Sequence, residues 1–151
     1  MVRINLINPN MLTDEHLVAE YVEIQMLVKF MCKYPFGDVT NKYTLGKGHM
    51  NFFRDKPQFI YTRFLDVVNE INKRKINYNL DNVNEYLNLL HNLMNFNDTK
   101  YDPDTLSKEI NTKRVVERLL NPLRKKNNWH YYGKPIKCIK QFINKINLLR
   151  C

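Results

Sequence analysis

Leu17, Tyr21, Ile24, Val28 and Met31 recur at steps of three and four residues, the spacing that lines side chains along one face of an α-helix. The helix they predict starts after Thr13, a suitable N-cap, with Asp14 and Glu15 where the helix dipole favours carboxylates. It runs to about Lys33, and His16, Glu20 and Glu23 fall on a second stripe about a quarter turn away. From Tyr34 to Arg54 one proline, three glycines and no sustained period predict an ordered loop. A second helix follows Asp55, with Pro57 in its first turn and Ile60, Phe64, Val67 and Ile71 on its buried face. Between Tyr78 and Thr99 the pattern supports a short helix around Val83 to Met94. A third long helix opens at a cap supplied by Asp102 or Asp104 and continues to about Leu120, with Leu106, Ile110, Val116 and Leu120 turned inward and Pro122 ending it. Ile139, Phe142, Ile143, Ile146 and Leu149 mark a last short amphipathic helix. No strand-rich run, repeat or linker interrupts this series. The predicted class is all-α, a compact single domain of three main helices with long ordered loops and a short C-terminal helical extension.

At 151 residues the chain can bury one hydrophobic core but not two comfortable ones, and its 44% hydrophobic content predicts that it folds. A formal charge of +9 concentrates polyanions around it, nucleic acid first, then anionic membrane surfaces and acidic proteins. No apolar run approaches the roughly 18 residues a spanning helix needs, and MVRINLINPN lacks the pattern of a secretory leader. The expected setting is intracellular, the cytoplasm or nucleus of a host cell or the interior of a virion. The heavy use of Asn, Lys, Ile and Tyr is that of an AT-rich coding sequence, as in many phages, giant viruses and endosymbionts. Cys32, Cys138 and Cys151 are an odd number without CxxC spacing or clustered histidines, so neither a disulfide framework nor a zinc site is expected, and no cofactor is implied.

Three separated motifs then narrow the reading: MVRINLINPNMLTDEHLVAEYVEI, LGKGHMNFFRDK and WHYYGKPIK. In this order and spacing they resemble the phage-type pyrimidine-dimer DNA glycosylase/AP lyase family, whose members carry a close variant of RINL, then DxHLxAEYxE, GxGHxxFFxDK and YYGK. The resemblance spans residues 1–137, weakly between Tyr78 and Asp98, and leaves 138–151 as an extension without counterpart. It implies a helical domain without a sheet, with the N-terminal segment threaded between the main helices. It also implies excision of the 5′ base of a cyclobutane pyrimidine dimer, followed by strand breakage through β-elimination, with damaged or abasic double-stranded DNA as partner. The extension offers a docking surface for a further partner, a membrane surface or a second copy.

In that family the residue after the initiator methionine supplies the nucleophilic amine, a position held here by Val2. An α-amine titrates near about 8, so part of it is neutral at physiological pH, whereas lysine amines stay protonated. The resemblance makes Glu23 the catalytic carboxylate, able to stabilise positive charge at C1′ and to move protons. It sets Arg3 and His16 near the damaged nucleotide, while Glu20 is open to a structural role, pairing with a nearby cation. Arg114 and Arg118, one helical turn apart in KRVVERL, resemble the family's phosphate-contacting helix. In WHYYGKPIK, Trp129 and Tyr131 lie beside Lys134 and Lys137, a mixture of π-faces and cations that suits distorted bases. Some of these rings must be core, with Tyr132 and Gly133 mainly architectural. Lys47 and His49, with Lys56, lie in the glycine loop and its exit, where backbone can approach a phosphate or an extrahelical base.

Two departures from the pattern bear on activity. Val22 and Met26 stand where the phage enzyme has arginines beside the carboxylate. A retained Met1 would lock the Val2 nitrogen in an amide. These features define the alternative, a catalytically inactive member that binds DNA or serves as a structural, virion-associated protein. A basic RNA-associated module is a third class, resting on charge alone.

Overall fold

The computed structural model describes residues 3–121 and 129–150, with side chains through Ile146 in the last helix. Val2, Pro122 and the Leu149 side chain lie outside the described residues. A 3-10 turn at Pro9–Met11 leads into α1 (Asp14–Lys33), followed by α2 (His49–Phe53), α3 (Pro57–Lys73), α4 (Val83–Met94), α5 (Thr105–Leu119), β1 (His130–Tyr131), β2 (Lys134–Pro135) and α6 (Ile139–Arg150). The protein is therefore mostly helical.

Helix α1 begins as its sequence requires. The Thr13 hydroxyl accepts the His16 N–H at 3.1 Å, and Leu17, Tyr21, Ile24, Val28 and Met31 are buried together with Leu27. Helix α3 turns Ile60, Phe64, Val67 and Ile71 against it, all at 0% exposure. Each such side chain contributes about 1.5–3 kcal/mol on leaving water. Helix α4 packs on both α1 and α3 and adds Tyr86 and Leu90, so the short helix read between Tyr78 and Thr99 belongs to the central packing unit.

Three expectations are corrected. The Tyr34–Arg54 stretch contains α2, a helix of 5 residues and thus too short to show a period. It buries Phe52 and Phe53 in an aromatic cluster with Tyr43, His49, Phe59 and Tyr101. A Cβ on Gly48, at its start, would come within 2.9 Å of Thr44 Cγ2, which explains a glycine there. Second, α5, which uses Asp104 as cap, does not turn Leu106 and Leu120 inward: they are 62% and 53% exposed. Its buried face is Ser107, Asn111, Thr112, Val115 and Leu119, with Ile110 and Val116 half-buried. Third, the fold is not purely α. Strands β1 and β2 pair antiparallel, His130 opposite Pro135 and Tyr131 opposite Lys134, around a turn in which Tyr132 and Gly133 both have positive φ, 53° and 77°. That is the type I′ geometry of a tight hairpin, and the Asp14 carboxylate holds it by accepting both turn N–H groups, at 3.1 and 2.8 Å. Strands of two residues carry no alternation to read. Helix α6 occupies the extension: its Ile143 and Ile146 enter the core, and Phe142 meets the Tyr131 ring at 5.5 Å.

The polar face of α5 has a physical reason. Residues 3–7 are buried yet belong to neither helix nor sheet, so side chains must satisfy their backbone groups. The Ile4 N–H donates to His49 Nε2 at 2.7 Å and its carbonyl accepts from the Tyr43 hydroxyl at 3.1 Å. The Leu6 N–H donates to Asn111 Oδ1 at 2.7 Å, and the Ile7 carbonyl accepts from Arg63 Nη1 at 2.6 Å. Asn111 Nδ2 also donates to Asn5 Oδ1, and Asn5 Nδ2 to Glu20 Oε1. Glu20, itself fully buried, receives two parallel bonds from Arg63, at 2.6 and 2.8 Å. Such bidentate geometry is what makes a buried ion pair tolerable.

Arg63→Met is expected to lower unfolding free energy by about 3–5 kcal/mol, because it strands the Glu20 carboxylate. Asn111→Leu, which leaves the Leu6 N–H without a partner, should cost about 1–3 kcal/mol. Urea melts of the two variants check both values.

Candidate active site and nucleic-acid interface

Glu23 lies about one turn beyond Glu20 on α1 but is only half-buried. Burial pushes its carboxyl up to about 7, against the pull of Arg3, with a further push from the Glu20 charge and an opposing pull from Arg118. Arg3 is 5% exposed, at the start of the anchored segment. Burial and the like charges of Arg118 and Arg114 lower its own proton affinity, and Glu23 partly restores it. Its Nη2 is buried without a hydrogen-bond partner among the described residues, a donor suited to an incoming anion. Arg114 and Arg118, on one face of α5, line a recess of about 240 Å³ with Glu117 and Asn121. Glu117 holds Arg114 loosely, at 3.4 Å on an exposed surface.

The structure thus gathers Glu23, Arg3, Arg114 and Arg118 into one electrostatic unit. A carboxylate close to half-ionised at neutral pH can both give and take a proton, and the guanidinium groups favour phosphate oxygens. A larger recess, of about 560 Å³, lies between Leu6, Pro9, Arg63 and Lys108. Asp66 and Glu70 face it as well as Lys73, a mixed lining poorly suited to a polyanion, and it includes none of Glu23, Arg3, Arg114 and Arg118. Among the described residues no group of three or more His, Cys, Asp or Glu side chains is arranged to hold a metal. No described helix is long and apolar enough to cross a membrane.

Other candidate residues go elsewhere. His49 is 1% exposed and both ring nitrogens work inside the fold: Nδ1 donates to the Thr44 carbonyl at 2.8 Å while Nε2 accepts from Ile4. Burial lowers its pKa, so it is a neutral strut of the N-terminal segment, which corrects its assignment to DNA contact. Trp129 is also corrected. It is 6% exposed and stacks on His16 with ring centroids 4.6 Å apart and planes 6° from parallel. His16 is consequently a buried partner of that stack and of Thr13, its Nδ1 lying 2.9 Å from the Thr13 hydroxyl.

Tyr131 is half-buried, its hydroxyl donating to the Asn10 carbonyl at 2.7 Å. The Arg74 guanidinium lies over both Tyr131 and Tyr132, 4.7 Å from each ring centre. Arg74 further binds Glu70, Asp14 and the Pro9 and Leu12 carbonyls, so WHYYGKPIK is first a structural hairpin clamped to α1 and α3. Lys134, Lys137 and Lys47 remain exposed. Lys56 is buried and tied to Asp55 at 2.7 Å. Asn111, Arg63, Tyr43 and Arg74 were not singled out from sequence. The one signal was Asn111, an asparagine in the middle of a helix where it is a poor former.

A titratable carboxylate beside clustered arginines, on a small basic helical scaffold, defines a site built to work next to phosphates. A family model for pyrimidine dimer DNA glycosylase matches residues 1–84, more than half of the chain. The chain belongs to the pyrimidine dimer DNA glycosylase family, and membership implies a DNA glycosylase with DNA as substrate. The matched stretch carries Arg3, Glu20, Glu23, His49 and Arg63. Arg114, Arg118 and the hairpin lie beyond it.

The raised Glu23 pKa has a stability consequence of definite sign. In the unfolded chain the carboxyl ionises near 4.5, in the fold near 7, so its contribution is fully present below pH 4.5 and is lost as pH rises through 7. Glu23→Gln, which mimics the neutral form, should match wild type in Tm at pH 4 and exceed it by several degrees at pH 8. Thermal melts across that range test this.

Proposed function

We propose that this protein is a bifunctional DNA glycosylase and AP lyase acting on UV-induced cyclobutane pyrimidine dimers and abasic sites in duplex DNA. Its nucleophile is the α-amine of Val2, freed by removal of Met1, and Glu23 is its acid/base. The observation that carries this reading is the Glu23 carboxyl, held near pKa 7 beside Arg3 and Arg118 in a chain of this family. The anchoring of residues 3–7 supports it, since in this reading the N-terminal segment, threaded between the helices, presents the chain's first amine to the arginine face.

The amine lone pair forms a bond to C1′ as the bond from C1′ to the 5′ pyrimidine breaks, and the electron pair leaves with the base. The nitrogen then loses a proton while the C1′–O4′ bond opens, O4′ takes a proton, and a Schiff base results. Removal of a proton from C2′ expels the 3′ phosphate and cuts the strand. Neutral Glu23 serves as donor to O4′, and its carboxylate as acceptor from C2′. With a pKa close to 7, both forms are populated under one condition. Arg3, Arg114 and Arg118 neutralise phosphates flanking the sugar.

A second reading rests on Val22 and Met26, 38% and 49% exposed on α1 on either side of Glu23. Apolar side chains in place of the family's arginines suit an inactive member that holds DNA or acts structurally.

Borohydride trapping on abasic and UV-irradiated duplexes separates the two. The active enzyme should form a covalent adduct at Val2, with Glu23→Gln lowering its rate of formation about 10²-fold or more. Absence of any adduct from protein whose N-terminal mass shows Met1 removed would defeat the catalytic reading.

A further inference from the structure

The chain's charge is distributed very unevenly. Through Glu117 the 15 acidic residues are balanced by 15 of the 24 Lys and Arg, so that stretch is formally neutral. The remaining 9 cations, Arg118, Arg124, Lys125, Lys126, Lys134, Lys137, Lys140, Lys145 and Arg150, follow Glu117 without one acidic side chain, and they account for the whole net charge of +9. The described part of this segment comprises residues 118–121, where Arg118 belongs to the arginine cluster of α5, and residues 129–150, which hold the β1–β2 hairpin and α6.

Helix α6 is amphipathic and already docked. Ile143 and Ile146 are buried in the core, and Ile139 and Phe142 pack against it. Its solvent face carries Lys140, Gln141, Asn144 and Lys145, all exposed, with Lys137 one turn earlier and Lys134 on the hairpin. Lys145 lies 5.3 Å from the Tyr131 ring centre, which joins the helix surface to the hairpin surface. The polar side chains on this described helix face are cations and amides, and both hydrogen-bond phosphate oxygens.

We propose that the hairpin and α6 form a second DNA-binding face, which holds undamaged duplex by its phosphate backbone through Lys134, Lys137, Lys140 and Lys145. This rests on the reading of the chain as a DNA enzyme. The face differs from the arginine cluster in kind. Arg3, Arg114 and Arg118 are buried or half-buried around a titrating carboxylate, suited to one defined nucleotide. The lysines are exposed point charges on a stretch with no acidic residue of its own, the neighbouring Asp14 and Glu15 being engaged by the turn N–H groups and by His130, and such charges suit many equivalent phosphates. A membrane surface fits less well, because an interfacial helix must give its apolar face to lipid and α6 gives that face to the core.

The test is the salt dependence of binding to an undamaged duplex, for wild type, Lys140→Gln/Lys145→Gln and Lys137→Gln/Lys140→Gln. The last variant keeps the Lys145–Tyr131 contact and so guards against loss of the hairpin. Each pair should reduce the slope of log K against log salt by about 1.8, two phosphate contacts at about 0.9 each. An unchanged slope in both variants overturns the proposal, and it does so independently of whether borohydride traps an adduct. Loss of binding to phosphatidylserine vesicles with an unchanged slope on DNA would likewise overturn it, and would reassign the face to lipid.

Discussion

A fully buried carboxylate in a basic protein persists only if its charge is answered inside, and Glu20 is answered twice by Arg63 and once by Asn5. This knot joins α1, α3 and the N-terminal segment at one point, and Asn111 extends it to α5. Desolvating two ions gains little net stability, but it demands one geometry, since any slip would leave a bare charge in the core. A segment that pairs with no sheet is thereby held in a single register.

The same helix carries a second carboxylate with the opposite fate. Glu20 is spanned by a bidentate guanidinium, whereas Glu23, half-buried, feels the fields of Arg3 and Arg118. Burial therefore outweighs attraction at Glu23 and brings it into the neutral range. Environment alone separates a structural acid from one fitted to proton transfer. The segment fixed by Glu20 also carries Arg3 to Glu23, so the scaffold ion pair and the site are mechanically linked.

The hairpin shows a comparable economy. Its aromatic residues resemble a nucleic-acid platform in sequence, but Trp129 is used on His16, and Tyr131 and Tyr132 on Arg74. The charge the hairpin leaves to solvent is Lys134, and the lysines of α6 continue that surface.

Much of this was legible in the residues. The helical period marked the buried faces of α1 and α3 because those helices meet the core through continuous apolar stripes, and the motif order marked the family. Polar burial was not legible. The inward face of α5 is organised around Asn111, which a search for apolar periodicity passes over in favour of Leu106 and Leu120, and α2 and the hairpin are too short to show any period. His49 and Trp129 looked available to DNA because nothing local says that the Ile4 N–H and the His16 ring will cover them. Sequence thus determined the helices, the charge and the family, which depend on residue type and spacing along the chain. Tertiary structure alone decided which polar groups are answered inside and which face outward, because hydrogen bonds and burial join residues as far apart as Asn5 and Asn111.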